Sequence, residues 1–92
     1  MIEANMKLIF IILGDENGDQ ALQMLVEKGY RVTRVASTGG FLRRGNVTLM
    51  TGVQDNKVQE VIHLIRQTCY PTDDTHYHAT VFVVDLPYFE QI

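Results

Sequence analysis

The chain has 92 residues, 46% hydrophobic and 21% charged, with a formal net charge of -3. That is enough for one small folded domain with a modest core, in which self-association supplements burial. The acidic balance excludes a surface built for long nucleic acid, which needs many Lys and Arg on phosphates, although a local basic cluster can still hold a small anion.

Met1 to Met6 precede the first ordered pattern and are expected to form a flexible N-terminal extension of a single domain spanning residues 1–92. Lys7 to Leu13, "KLIFIIL", is a continuous β-rich run ending at Gly14, which predicts a strand with both faces covered. It is too short to span a bilayer and has no basic flank or cleavage site of a secretory signal. "DENGDQALQMLVEKG" then places Ala21, Leu22, Leu25 and Val26 at helical spacing, with Gly29 positioned to end the helix. Tyr30 to Ser37, rich in β-branched residues, predicts a second strand, and Asn46 to Val53 a third, antiparallel to it. In "DNKVQEVIHLIRQTC", Val58, Val61, Ile62, Ile65 and Cys69 share a helical face and Asp55 is the expected N-cap. Ala79 to Leu86 is the last strand. The order βαββαβ predicts an α+β, ferredoxin-like domain, an antiparallel sheet with two helices on one face.

That fold serves many functions, so the chemistry must come from a site. The stretch "ASTGGFLRRGN", Ala36 to Asn46, spends three glycines on a connection between strands. Gly39, Gly40 and Gly45 let backbone N–H groups approach a ligand and form an anion-binding nest. Arg31, Arg34, Arg43 and Arg44 put four of the eight Lys and Arg residues in or beside it, with the acidic residues mostly elsewhere. Phe41 and Leu42 can stack on a base or line an apolar pocket. The plain alternative is a solvated glycine hairpin whose Phe41 and Leu42 cap the core or meet another subunit.

Other chemistries are weakly supported. One cysteine, Cys69, allows no internal disulfide and fits a reducing cytosol. Ser37, Thr38 and Cys69 lack a visible base and orienter, so no catalytic residue is expected. An anion would be repelled by the acidic "GDENGD" after the first strand. RNA recognition would need aromatics on the central strands, where only Phe10 stands. His76 and His78 share a face if extended, near Cys69, Asp73 and Asp74, but without metal-ligand spacing they read as solvated loop residues. His63 reads as a surface residue.

"TRVASTGGFLRRGNVTLMTGV", Thr33 to Val53, resembles the signature of the PstA/DarA family of PII-like cyclic di-AMP receptors, and the likeness continues through "QEVIHLIRQTC" and "ATVFVVDLPYFEQI". The resemblance implies a cytoplasmic PII-like homotrimer that binds one cyclic di-AMP at each subunit interface and signals to a protein target, with no catalysis, further cofactor, polymeric nucleic acid or membrane involved. It implies that Arg31 and Thr33 line the cleft, that Gly40, Phe41 and Leu42 contact the ligand, and that Asn46 hydrogen-bonds an adenine edge or phosphate. Gly52 would allow close approach, and Phe82 and Gln91 would come from the last strand and C-terminus. An amide that donates and accepts at once suits an adenine edge.

Family members carry a long Gly- and Pro-rich loop before the last strand, where this chain has only "YPTDDTHYH", Tyr70 to His78. Tyr77 and His78 stand where the family has a glycine pair. Three outcomes stay open: a minimal cyclic di-AMP receptor, a relative tuned to another nucleotide, or one that has lost binding and serves as a small-anion, metal or protein-interaction module.

Overall fold

The computed structural model describes residues 5–35, 45–69 and 78–92. In chain order these form β1 (Met6–Gly14), α1 (Asp15–Glu27), β2 (Thr33–Val35), β3 (Asn46–Gln54), a short 3-10 turn (Asp55–Lys57), α2 (Val58–Thr68) and β4 (Ala79–Asp85). The four strands make one sheet in the order β2-β3-β1-β4, with every neighbouring pair antiparallel. This is the ferredoxin-like α+β arrangement that the element order predicts.

Strand periodicity divides β1 between two faces. Ile9, Ile11 and Leu13 point to one side and are buried with Val47, Leu49 and Val53 of β3. Ala21 and Leu25 of α1, and Val58, Val61, Leu64, Ile65 and Cys69 of α2 and its end, complete that core. Gly18 lets α1 lie close to β3, since a Cβ there would overlap Cγ1 of the buried Val47. Thr51 is buried on β3 and donates from Oγ1 to the Arg31 carbonyl at 2.7 Å, tying the entry of β2 to its neighbour.

The structure differs from the sequence-based expectation at four places. β1 is covered on one face only: Leu8, Phe10 and Ile12, which alternate with the core residues, are half-buried. Val26 is 54% exposed, because the stripe facing the sheet narrows to Ala21, Leu22 and Leu25 as α1 ends. Tyr30 is outside β2, because it closes the helix instead. Its N–H donates to Leu25 O at 3.0 Å while Gly29, at φ +93°, donates to Val26 O, which together form a Schellman stop. Asp55 makes no side-chain cap: it opens the 3-10 turn, its N–H donating to the Asn5 carbonyl at 2.7 Å, and α2 begins three residues later.

Of the expected N-terminal extension, residues 1–4 lie outside the described residues. Met6 pairs with Gln54 in the sheet. No helix among the described residues is long and apolar enough to cross a membrane.

Candidate functional site

The face of the sheet away from the helices collects four of the six expected ligand residues that lie among the described residues. Antiparallel partners share a face, so the register Thr33–Met50–Phe10–Phe82 runs as one row across all four strands. A second row is Gly52–Leu8–Val84, a third Val35–Thr48–Ile12–Thr80, and Asn46 pairs with Gly14 at one end of the sheet. Thr33, Asn46, Gly52 and Phe82 therefore stand on one surface. Within a single chain that surface is largely apolar and only partly covered: Phe82 is 53% and Val84 47% exposed on β4, Leu8, Phe10, Ile12 and Met50 are half-buried, and Thr48 is buried. Contiguous apolar area of this kind marks an interaction surface.

These residues are spread along the face rather than gathered. Asn46 and Gly52 are six positions apart on β3, about 20 Å at the rise of a strand. Gly52 has neither a positive φ nor a crowded environment to explain it. The nearest atoms to a Cβ there would be Leu86 Cδ2 at 3.8 Å and the Lys7 carbonyl at 4.0 Å, both ordinary contacts. A glycine inside a strand that the chain itself does not require points to close approach from outside.

Arg31 is exposed just before β2, with its carbonyl held by Thr51. Gln91 is exposed in the segment that follows β4. That segment is attached where the Leu86 N–H donates to the Met6 carbonyl at 3.0 Å, at the end of the sheet opposite Asn46. Gly40, Phe41 and Leu42 lie outside the described residues, as do Arg43, Arg44, His76 and Tyr77. His78 is half-buried, and its Nε2 has no hydrogen-bond partner among the described residues. No cluster of three or more metal-ligating side chains occurs among the described residues.

Arg34 departs from the expected picture of arginines set apart from acidic residues. Its guanidinium pairs with the Asp19 carboxylate and reaches Asp15 Oδ1 at 3.8 Å. No local pattern signals this pairing, because the partners are 15 and 19 positions away and meet only through the sheet order. β1 ends where β3 begins, so the first turn of α1 sits beside the start of β3. The N–H of Asp15 also donates to the Gly45 carbonyl at 2.9 Å.

Three titrating groups among the described residues are shifted upward, two by burial and one by an ion pair. Desolvation pushes the Cys69 thiol above its usual 9.0, which leaves it unreactive. Desolvation also raises the Tyr30 phenol above 10.0, and the nearby Glu60 carboxylate adds to the shift. Lys7 is raised above 10.5, chiefly by its hydrogen bond to Asp85, which joins β1 to β4 on the helix side.

Residues 6–77 match the family model described as cyclic-di-AMP receptor. Among solved structures, a functionally unknown protein from Pediococcus pentosaceus is similar over 98% of this chain and 100% of its own, with a TM-score of 0.81 and 26% identity. A CPII protein from Thiomonas intermedia, bound to ADP, AMP and acetate, is similar over 97% of this chain and 94% of its own, at TM-score 0.66 and 18% identity. Arabidopsis thaliana PII bound to citrate is similar over 91% of this chain and 79% of its own, at TM-score 0.67 and 17% identity. The last two likenesses show a PII-like fold.

Proposed function

This chain belongs to the cyclic-di-AMP receptor family, and from that premise we propose that it is a PII-like signalling protein that binds cyclic di-AMP between copies of itself, without catalysis. The observation that carries the proposal is the shared open face of the sheet. Thr33, Asn46, Gly52 and Phe82, named from the sequence as ligand residues, all fall on the one surface the helices leave uncovered. Their spacing along that surface favours a site shared between copies, where each chain supplies part of the ligand shell and no strand has to bend.

The assembly we propose is a homotrimer. Its driving force is the apolar patch of Leu8, Phe10, Met50, Phe82 and Val84 in two adjacent rows, whose burial is worth about 25 cal/mol per Å² before the cost of association. Arg31, the backbone of Gly40, Phe41 and Leu42, and the exposed Gln91 would complete the site. The protein acts in the cytoplasm on a separate protein target.

In this reading the Asn46 amide both donates to and accepts from an adenine edge or a neighbouring phosphate. Asn46→Ala is expected to weaken cyclic di-AMP binding by about 1 to 3 kcal/mol, the cost of leaving a polar group of the ligand desolvated and unpaired. Calorimetric titration reads the loss, with light scattering on the same samples to show trimers in both proteins. Equal affinity of the two proteins, or a monomer at micromolar concentration, contradicts the proposal.

A further inference from the structure

We propose that Asp15, Asp19 and Arg34 form a clamp that ties the end of β2 to the start of β3, so that Arg34 serves the nucleotide site as a positioning residue rather than by touching a phosphate. The inference rests on the nucleotide reading above and assigns a role to residues that the reading leaves out.

Asp15 is tied to both sides of the 36–44 stretch. Its backbone N–H donates to the carbonyl of Gly45, where the chain re-enters β3 with a φ of +88°. Its carboxylate, with that of Asp19 one helical turn later, receives the guanidinium of Arg34, one residue before the end of β2. The N-terminal N–H groups of a helix have no partner within the helix, and Gly14 provides no side-chain cap for α1. The Gly45 carbonyl therefore satisfies one of them.

The helix that carries these carboxylates is itself well anchored. Gly18 brings α1 against Val47, the residue after Asn46, and Ala21 and Leu25 are fully buried. The position of the first turn of α1 is thus transmitted to both margins of the connection. Two carboxylates face one guanidinium, so the charge of Arg34 is already compensated and leaves no surplus to attract a phosphate. The planar fork of Arg suits it to span two acceptors, which a Lys would do less well.

The test uses the full-length protein, with Asp19→Asn, Arg34→Gln, the double variant and Arg34→Lys. Amide hydrogen exchange in ligand-free protein is read over residues 33–48. Each of the two single neutralising changes is expected to raise exchange there by about two- to fivefold, the range for a surface ion pair. The double variant should not exceed Arg34→Gln, which already removes both contacts of the guanidinium, and Arg34→Lys should restore part of the protection. Unchanged exchange in both singles overturns the clamp. In a second arm, titration with cyclic di-AMP should show Asp19→Asn weakening binding by a similar factor. Tighter binding would mean that Arg34 is a phosphate ligand held back by Asp19, and would overturn the inference. If the wild-type protein takes up no cyclic di-AMP, the nucleotide reading fails, while the exchange measurements still decide the clamp.

Discussion

Replacing Gly52 with alanine separates what the fold needs from what a ligand needs. The backbone at Gly52 is not left-handed, and a Cβ there would meet only Leu86 Cδ2 at 3.8 Å and Lys7 O at 4.0 Å. No strain or overlap opposes the methyl group, so the folded chain accommodates it. The unfolded chain loses conformational freedom, which stabilises such variants by about 0.4–1 kcal/mol. For a domain of this size, 1 kcal/mol moves Tm by about 4–8 °C, so Gly52→Ala should melt at the same temperature or a few degrees higher. Binding should move the other way. If a nucleotide or a neighbouring copy closes on the strand here, a methyl group separates them and costs about tenfold in cyclic di-AMP affinity, or roughly 1.4 kcal/mol. Thermal melts and calorimetric titration of the same preparation measure both effects. A variant that melts well below the wild type while binding normally would show that Gly52 is structural and refute the reasoning.

Gly18→Ala makes the opposite case. Its Cβ would overlap Val47 inside a packed core, so an overpacking cost of about 1–3 kcal/mol outweighs the roughly 1 kcal/mol gain in helix propensity; denaturant unfolding should show a net loss, and unchanged stability would mean that α1 can move away from β3. Cys69 is buried and its thiol is raised by desolvation, so native protein should resist alkylation at pH 8 while unfolded protein reacts at once. The neutral thiol contributes stability that is complete below the thiol's ordinary value of 9.0 and is lost as pH rises through the higher folded value. Rapid alkylation of native protein at pH 8 would contradict this placement.

Much of the architecture was legible because local signals agreed with the fold. β1 and β3 carry long β-rich runs, Gly29 marks the end of α1 with the φ that only glycine adopts readily, and the spacing of Val58, Val61, Ile65 and Cys69 marks the buried side of α2. The failures came where tertiary contacts override local preference. Tyr30 reads as strand from its composition but completes a helix stop, and Asp55 looks like a cap but enters a 3-10 turn. Burial of β1 on two faces was inferred from a continuous apolar run, yet within one chain only one face is covered. The same run makes sense if other copies cover the second. Thr33, Asn46, Gly52 and Phe82, which the family signature names as ligand residues, share one face of the sheet, whereas no pattern announces the ion pairs of Arg34. They depend on β3 lying between β1 and β2, which no short stretch of sequence encodes.

The most direct measurement is a calorimetric titration of the wild-type protein with cyclic di-AMP, with ATP and AMP titrated in parallel. Binding between equivalent copies in a closed trimer predicts saturation at one cyclic di-AMP per chain, three per assembly, with weaker uptake of the two mononucleotides. No heat with cyclic di-AMP at concentrations well above micromolar, or saturation by a monomeric protein, would contradict a shared nucleotide site on the open face of the sheet.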